Sequence, residues 1–218
     1  MNTDYARENM IKQQIRPWEV PDLGVLNLLD EIHREDFVPA EYRQLAYADT
    51  PLPLAHGQFT MTPKVEARLL QGLAVKPSDT ILEIGTGCAY LTALLAKSGK
   101  SVCSVDIYPE FTASAPGKLR RYQLNNVELQ TGDAINGWNR ERTFDVIVVT
   151  GSVPQLNGHF QQQLSLGGRL FVIVGETPAV MEAMLVTRVG DNAWSRESLF
   201  ETDLPPLVGA ERKEEFVF

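Results

Sequence analysis

The sequence predicts an α/β protein with a doubly wound, mostly parallel sheet and an N-terminal helical segment. Three observations carry this prediction. From residue 79 onward, short apolar runs alternate with helical patterns. The first of those runs ends in a glycine turn, in "ILEIGTGCAYLTALLA". Acidic residues, Glu83, Asp106 and Asp133, stand at the ends of the first three runs. Strands joined by helices of this length pair in parallel through right-handed crossovers, which is the doubly wound arrangement.

The elements follow in order. "TDYARENMIKQQI" carries a cap candidate at Thr3 and apolar residues at Met10, Ile11 and Ile15, with Pro17 closing the segment. "DLGVLNLLDEIH" repeats the pattern with Val25, Leu28, Leu29 and Ile32 behind an acidic start at Asp22. The stretch "REDFVPAEYRQLAYADTPLPLAHGQFTMTP" holds several prolines and little periodicity, and irregular stretches of that length are more often functional than decorative. "KVEARLLQGLAV" is amphipathic and predicts a helix leading into the sheet. Residues 1–75 therefore form a helical and loop segment, and 76–218 the sheet domain.

Within that domain "TILEIG", "SVCSVDI", "VELQTGD", "FDVIVVTGSV" and "GRLFVIVG" read as buried strands. The intervening helices are "AYLTALLAKSG", "APGKLRRYQLN" starting after Pro116, and "LNGHFQQQL". From Pro178 onward "AVMEAMLVTRVG" and "WSRESLFETDLPPLV" read as closing strands, antiparallel at one edge.

Composition narrows the function. A formal charge of −8 without a basic stripe opposes nucleic-acid binding, which needs clustered Lys and Arg against phosphates. "MNTDYARENMIKQQIR" is polar rather than a signal core, and no apolar run reaches membrane-spanning length, so a cytoplasmic protein is expected. Cys88 and Cys103 read as reduced thiols, and His33, His56 and His159 have no metal-site spacing.

The residues around the turn discriminate among its ligands. A triphosphate loop needs Lys followed by Ser or Thr at the helix start, and "GTGCAYLT" has neither. A dinucleotide fingerprint expects a third glycine where Tyr90 stands, which weakens that reading. Glu83, two positions before Gly85, would repel a pyrophosphate but pair with an ammonium group. S-adenosylmethionine has an α-amino group and a sulfonium charge and no phosphate. Asp106 is placed for both ribose hydroxyls and Asp133 for an adenine amino group. Gly85 and Gly87 allow close approach; Thr86 in the turn, Ile107 and Ala134 complete the candidate cofactor contacts. Singly, each acid reads equally well as a helix cap; together with the glycines they favour the cofactor.

With these motifs in order, "ILEIGTGCAYLTALLA", "GDAINGW", "FDVIVVTGSVP" and "LSLGGRLFVIVG" resemble the class I methyltransferase motifs of protein-L-isoaspartate O-methyltransferases. "MIKQQI", "REDFVPAEYRQLAYADTPLPL" and "HGQFTMTP" extend the resemblance from about residue 6 to the closing "LPPLV". It implies a Rossmann-like fold, S-adenosylmethionine as cofactor, and peptides or proteins carrying isoaspartate as substrates. The methyl group would pass to the isoaspartyl α-carboxylate, giving an ester that collapses to a succinimide, a step in protein repair. A carboxylate is already a competent nucleophile at neutral pH, so the chemistry asks for positioning and water exclusion rather than a strong base.

One departure stands out. The family's loop resembles Gly-Gln-Thr-Ile-Ser-x-Pro with the serine as its functional hydroxyl, whereas this chain reads Gly57, Gln58, Phe59, Thr60, Met61, Thr62, Pro63. A thioether donates no hydrogen bond. Losing one to a charged group costs about 1.5–3 kcal/mol, roughly ten- to a hundredfold in rate. Thr60 and Thr62 flank the altered position as candidate catalytic hydroxyls. Ala89, in place of the turn's last glycine, is a milder change. Three readings remain open: an isoaspartyl methyltransferase, a methyltransferase with another acceptor, and a binding protein that keeps the cofactor. A loop that packs Phe59 and Met61 into the core would fit the last two.

Overall fold

The computed structural model describes residues 3–139, 141–156, 158–176 and 180–210. Helices α1 (Thr3–Asn9), α2 (Leu23–Glu31) and α3 (Pro63–Leu73) come first, followed by α4 (Tyr90–Ser98), α5 (Pro109–Arg121) and the short α6 (Gly158–Gln162). The strands are β1 (Thr80–Ile84), β2 (Ser101–Asp106), β3 (Val127–Thr131), β4 (Phe144–Val153), β5 (Leu164–Val174), β6 (Met181–Gly190) and β7 (Ala193–Thr202). They form one seven-stranded sheet in the order β3-β2-β1-β4-β5-β6-β7. Pairing is parallel through β5 and antiparallel for β6 and β7, as the alternation of elements predicts. Pro178 and Ala179, where the closing strands were expected to begin, lie outside the described residues.

Local chemistry explains most boundaries. Asp22 caps α2 by accepting from the Gly24 and Val25 N–H groups at 2.7 and 3.2 Å. Pro63 and Pro109 open α3 and α5, where a missing N–H costs no hydrogen bond. Here the sequence reading needs correction: α5 begins at Pro109, and Pro116 lies inside it. Proline is so strong a start signal that it hides a helix already under way. The first helix is also irregular, since α1 runs on as a π-helical stretch, Met10–Ile15, and ends in a 3-10 turn containing Pro17. Thr3 is already helical rather than the capping residue. β5 starts at Leu164, earlier than expected, because a bulge around Gly167, at φ +76°, absorbs the extra residues.

The core has two layers. One runs from Met10 to Leu204 and joins α2 and α3 to α4 and to the Val146, Val148 and Phe171 side of the sheet. The other packs Leu82, Ile84, Ile147 and Leu170 around Phe160. Lys118 fastens three segments, donating to the carbonyls of Phe37 and Cys88 at 2.7 and 3.0 Å. The irregular stretch is thereby seated beside the glycine turn.

Candidate functional site

Strand order reverses between β1 and β4, and the crevice at their carboxyl ends is the expected ligand site of an open parallel sheet. An open cleft of about 720 Å³ lies there, lined by residues from the ends of β1, β2, β3 and β4. Gly85 sits at φ +98°, where a side chain would collide with the Thr150 hydroxyl. Thr150 Oγ1 instead bridges the carbonyls of Ile84 and Gly85 at 2.9 and 3.0 Å. Asp106 accepts from the N–H groups of Gly87 and Tyr108 at 2.9 and 3.0 Å, and burial raises its carboxyl above the usual range against the pull of those bonds. Asp133 Oδ1 accepts from Ile135 N–H at 2.9 Å. Asp133 thus ties down its own loop and Asp106 the glycine turn as well, neither caps a helix, and both still face the cleft.

Gly85, Gly87, Asp106, Ile107, Asp133 and Ala134 all line this cleft. Glu83 and Thr86 do not. Side chains alternate along β1, and Glu83 points with Ile81 toward α4, fully buried. Thr92 and Ser104 hydroxyls both donate to its Oε2 at 2.6 Å, and Thr86 Oγ1 lies 2.7 Å from Ser104 Oγ. Glu83 Oε1 has no partner among the described residues. Burial, against those two hydroxyl bonds, pushes the carboxyl up to about 8. Its expected pairing with an ammonium group is therefore not a cleft contact; it braces the turn from below.

Among the described residues no Lys, Arg or His lines the cleft, and its charged lining groups are the carboxylates of Asp106 and Asp133. A pyrophosphate would meet repulsion there, whereas a ligand rich in hydroxyl and amino donors, with a positive charge, fits the acceptors present. Much of the remaining wall is apolar, supplied by Leu54, Phe111, Ile135 and the segment 204–208, with Gln58, Tyr108 and Thr150 as neutral polar members.

A second groove of about 780 Å³ adjoins the first and shares Phe59, Leu204 and Pro205 with it. Thr60 and Thr62 line this groove rather than the cleft. The Thr60 hydroxyl accepts from Leu52 N–H at 3.0 Å and from Arg34 Nη2 at 3.1 Å, so it is engaged in holding the loop. Thr62 Oγ1 is shielded and has no partner among the described residues. Met61 is buried, as a core-packing loop predicts, but Phe59 is 46% exposed and forms the partition between the two cavities.

Other sequence features resolve differently. Tyr90 turns into the core, 5.6 Å from the Phe37 ring, and does not block the turn. Ala89 takes φ +68° at the start of α4, a left-handed conformation that costs a non-glycine residue about 1 kcal/mol, so the change is not mild. His56 stacks on Tyr108 at 4.2 Å and lies 3.3 Å from Glu110 Oε2, linking the irregular loop to the rim of the cleft. Cys88 and Cys103 are buried free thiols whose pKa values burial raises, Cys103 to about 11. Among the described residues no His, Cys, Asp or Glu cluster could hold a metal ion, and no helix is long and apolar enough to cross a membrane.

Thr150, Gly151 and the wall 204–208 were missed by motif reading. Ser152 N–H donates to Pro205 O at 3.0 Å, and Leu207 N–H donates back to Ser152 O at 2.8 Å, laying the wall across the end of β4. The double proline at 205–206 was the available signal, since it forbids a regular strand.

A sheet of this order, with its cleft at the switch point and acids closing β2 and β3, has the class I methyltransferase fold. The family model for protein-L-isoaspartate(D-aspartate) O-methyltransferase matches residues 5–212. The chain belongs to that family. It is 37% identical to protein-L-isoaspartate O-methyltransferase 2 of Pelobacter propionicus, covering 96% of this chain and 93% of that one. A Koribacter versatilis protein-L-isoaspartate O-methyltransferase is 36% identical, covering 93% and 90%. Among solved structures, a Plasmodium falciparum protein described as a protein-L-isoaspartate O-methyltransferase, in complex with S-adenosyl-L-homocysteine, superposes with a TM-score of 0.78. Its identity is 21%, over 95% of this chain and 98% of that one, which bears on the fold.

Proposed function

We propose that the protein transfers the methyl group of S-adenosylmethionine to the α-carboxylate of L-isoaspartyl residues in damaged peptides and proteins, acting in the cytoplasm. The carrying observation is the adjacency of two cavities: a cleft whose charged lining groups are Asp106 and Asp133, and a groove joined to it at Phe59, Leu204 and Pro205. Family membership and relatives of that name at more than 30% identity support the same reading.

The cleft suits the cofactor because its acceptors match ribose hydroxyls and an adenine amino group, and because no cation among the described residues lines it. Asp106 would hold the ribose, Asp133 the adenine edge, Ile107 and Ala134 the ring faces, and Gly85 and Gly87 the amino-acid end. Glu83 and Thr86 would act through the turn they brace. The bound cofactor supplies an activated methyl group on a positively charged sulfur. The remaining work falls to the loop 58–62, which must hold a carboxylate oxygen in line and keep water out. Residues 1–75 then serve mainly the acceptor and 76–218 the cofactor.

The test is transfer of labelled methyl from S-adenosylmethionine to a short isoaspartyl peptide, with the aspartyl peptide as control. Transfer confined to the isoaspartyl peptide is expected. Cofactor binding without transfer to either peptide would overturn the assignment and point to another acceptor.

A further inference from the structure

Arg34 is fully buried, and its donors converge on the loop that carries the Met61 departure. Nε donates to Glu66 Oε2 at 3.2 Å, Nη1 to Ala46 O at 2.9 Å, and Nη2 to Thr60 Oγ1 at 3.1 Å and to Met61 O at 2.6 Å. The guanidinium also lies 5.6 Å from the Tyr90 ring centroid. A buried ion pair of this kind is weak evidence for stability, because desolvation offsets most of the attraction. Its geometry says more, since it ties the end of one 3-10 turn, the substrate-side loop and α3 to a single planar group.

The bond to Met61 O is the shortest of the four. A trans peptide is planar, so drawing the Met61 carbonyl inward to Arg34 sends the Thr62 N–H in the opposite direction. Among the described residues nothing accepts from that N–H, and the Thr62 hydroxyl is without a partner as well. Thr62 lines the acceptor groove. Arg34 meanwhile stays behind the loop and off both cavities' walls. A guanidinium in direct contact with the acceptor carboxylate would draw off the electron density it needs as a nucleophile. Placed behind a peptide group, the same charge polarises the amide and strengthens its N–H as a donor without touching the nucleophile.

We propose that Arg34 is a positioning residue: by pinning the Met61 carbonyl it directs the Thr62 backbone N–H into the acceptor groove, to hydrogen-bond the substrate carboxylate in place of the missing serine hydroxyl. This rests on the isoaspartyl reading above. It also accounts for Met61 at the serine's place, since a main-chain donor is indifferent to the side chain before it.

The experiment observes the Thr62 amide by NMR in the full-length protein, labelled at threonine and saturated with S-adenosyl-L-homocysteine, as isoaspartyl or aspartyl peptide is added. The Thr62 amide proton should move downfield with the isoaspartyl peptide alone. Arg34→Lys, which keeps the charge but loses the planar fork, should abolish that shift. It should also lower kcat about ten- to a hundredfold and leave cofactor affinity within about twofold. Methyl transfer by the unaltered protein with an unmoved Thr62 amide would overturn the positioning role alone. So would an Arg34→Lys protein that keeps both the shift and kcat. Absence of methyl transfer by the unaltered protein would overturn the isoaspartyl reading and this role with it. Should Arg34→Lys fail to fold, the amide of the unaltered protein decides the matter.

Discussion

Gly151 and Leu207 meet backbone against backbone: a Cβ on Gly151 would lie 2.7 Å from the Leu207 nitrogen and 2.8 Å from its Cα. That contact lets the segment 204–208 close one side of the cleft and, through Leu204 and Pro205, one side of the groove. Gly151→Ala would push the segment outward at an overpacking cost of roughly 1–3 kcal/mol. Cofactor affinity measured by calorimetry should fall about tenfold or more, with the thermal midpoint only modestly lowered. Unchanged affinity would mean that this wall does not contact the cofactor.

Asp106 serves two masters, since the carboxylate that faces the cleft also receives the Gly87 and Tyr108 N–H groups. Asp106→Asn removes the charge and keeps one acceptor oxygen, enough for only one of those bonds, since Gly87 N–H donates to Oδ2 and Tyr108 N–H to Oδ1. Loss of charge-assisted bonds to the ribose should weaken cofactor binding by about ten- to a hundredfold. Asp133→Asn, whose site is more open, should cost less. Equal binding by Asp106→Asn and the unaltered protein would remove Asp106 from the ribose site.

Much of this was legible because strand-end chemistry is local. Asp106 and Asp133 follow their apolar runs directly, so their facing the switch point needs little beyond the alternation of elements. Glu83 lies off the cleft lining for a reason one residue wide: on a strand the neighbour of a cleft-facing residue points the other way. The engagement of Thr60 was invisible in the sequence because its partner, Arg34, lies 26 positions away. The wall at 204–208 is farther still from the turn it covers, and pairings at that distance leave no periodic trace. Pro116 misled by resembling a start.

Buried Glu83 gives a pH dependence with a definite sign. Its carboxyl titrates at about 8 in the folded chain, against an ordinary value of 4.5. Between those values the folded state holds a proton that the unfolded state has released, so stability falls as pH rises through the window. Glu83→Gln cannot ionise. Its thermal midpoint should exceed that of the unaltered protein by at least roughly 2–4 °C at pH about 8 and converge with it near pH 5. Parallel curves across that range would show that Glu83 is ionised in the fold.

Ala89 holds φ +68° at the first turn of α4. Ala89→Gly should relieve that strain and stabilise by up to about 0.6 kcal/mol after the extra chain entropy of glycine is counted. Denaturant unfolding would measure this. A loss of stability would mean that the methyl group's packing, fully buried in the core, outweighs the strain.

The two thiols have a use of their own. Cys88 sits in the glycine turn and Cys103 in the middle of β2, both buried and both held protonated. Electrophiles and peroxides attack thiolates, so in the closed fold neither sulfur is a target. Alkylation then proceeds no faster than the structure opens around each site, and comparing the two labelling rates with cofactor absent and present would time the breathing of the turn separately from that of the sheet. A protein that tends chemically aged chains is, by this arrangement, slow to age at its own cysteines.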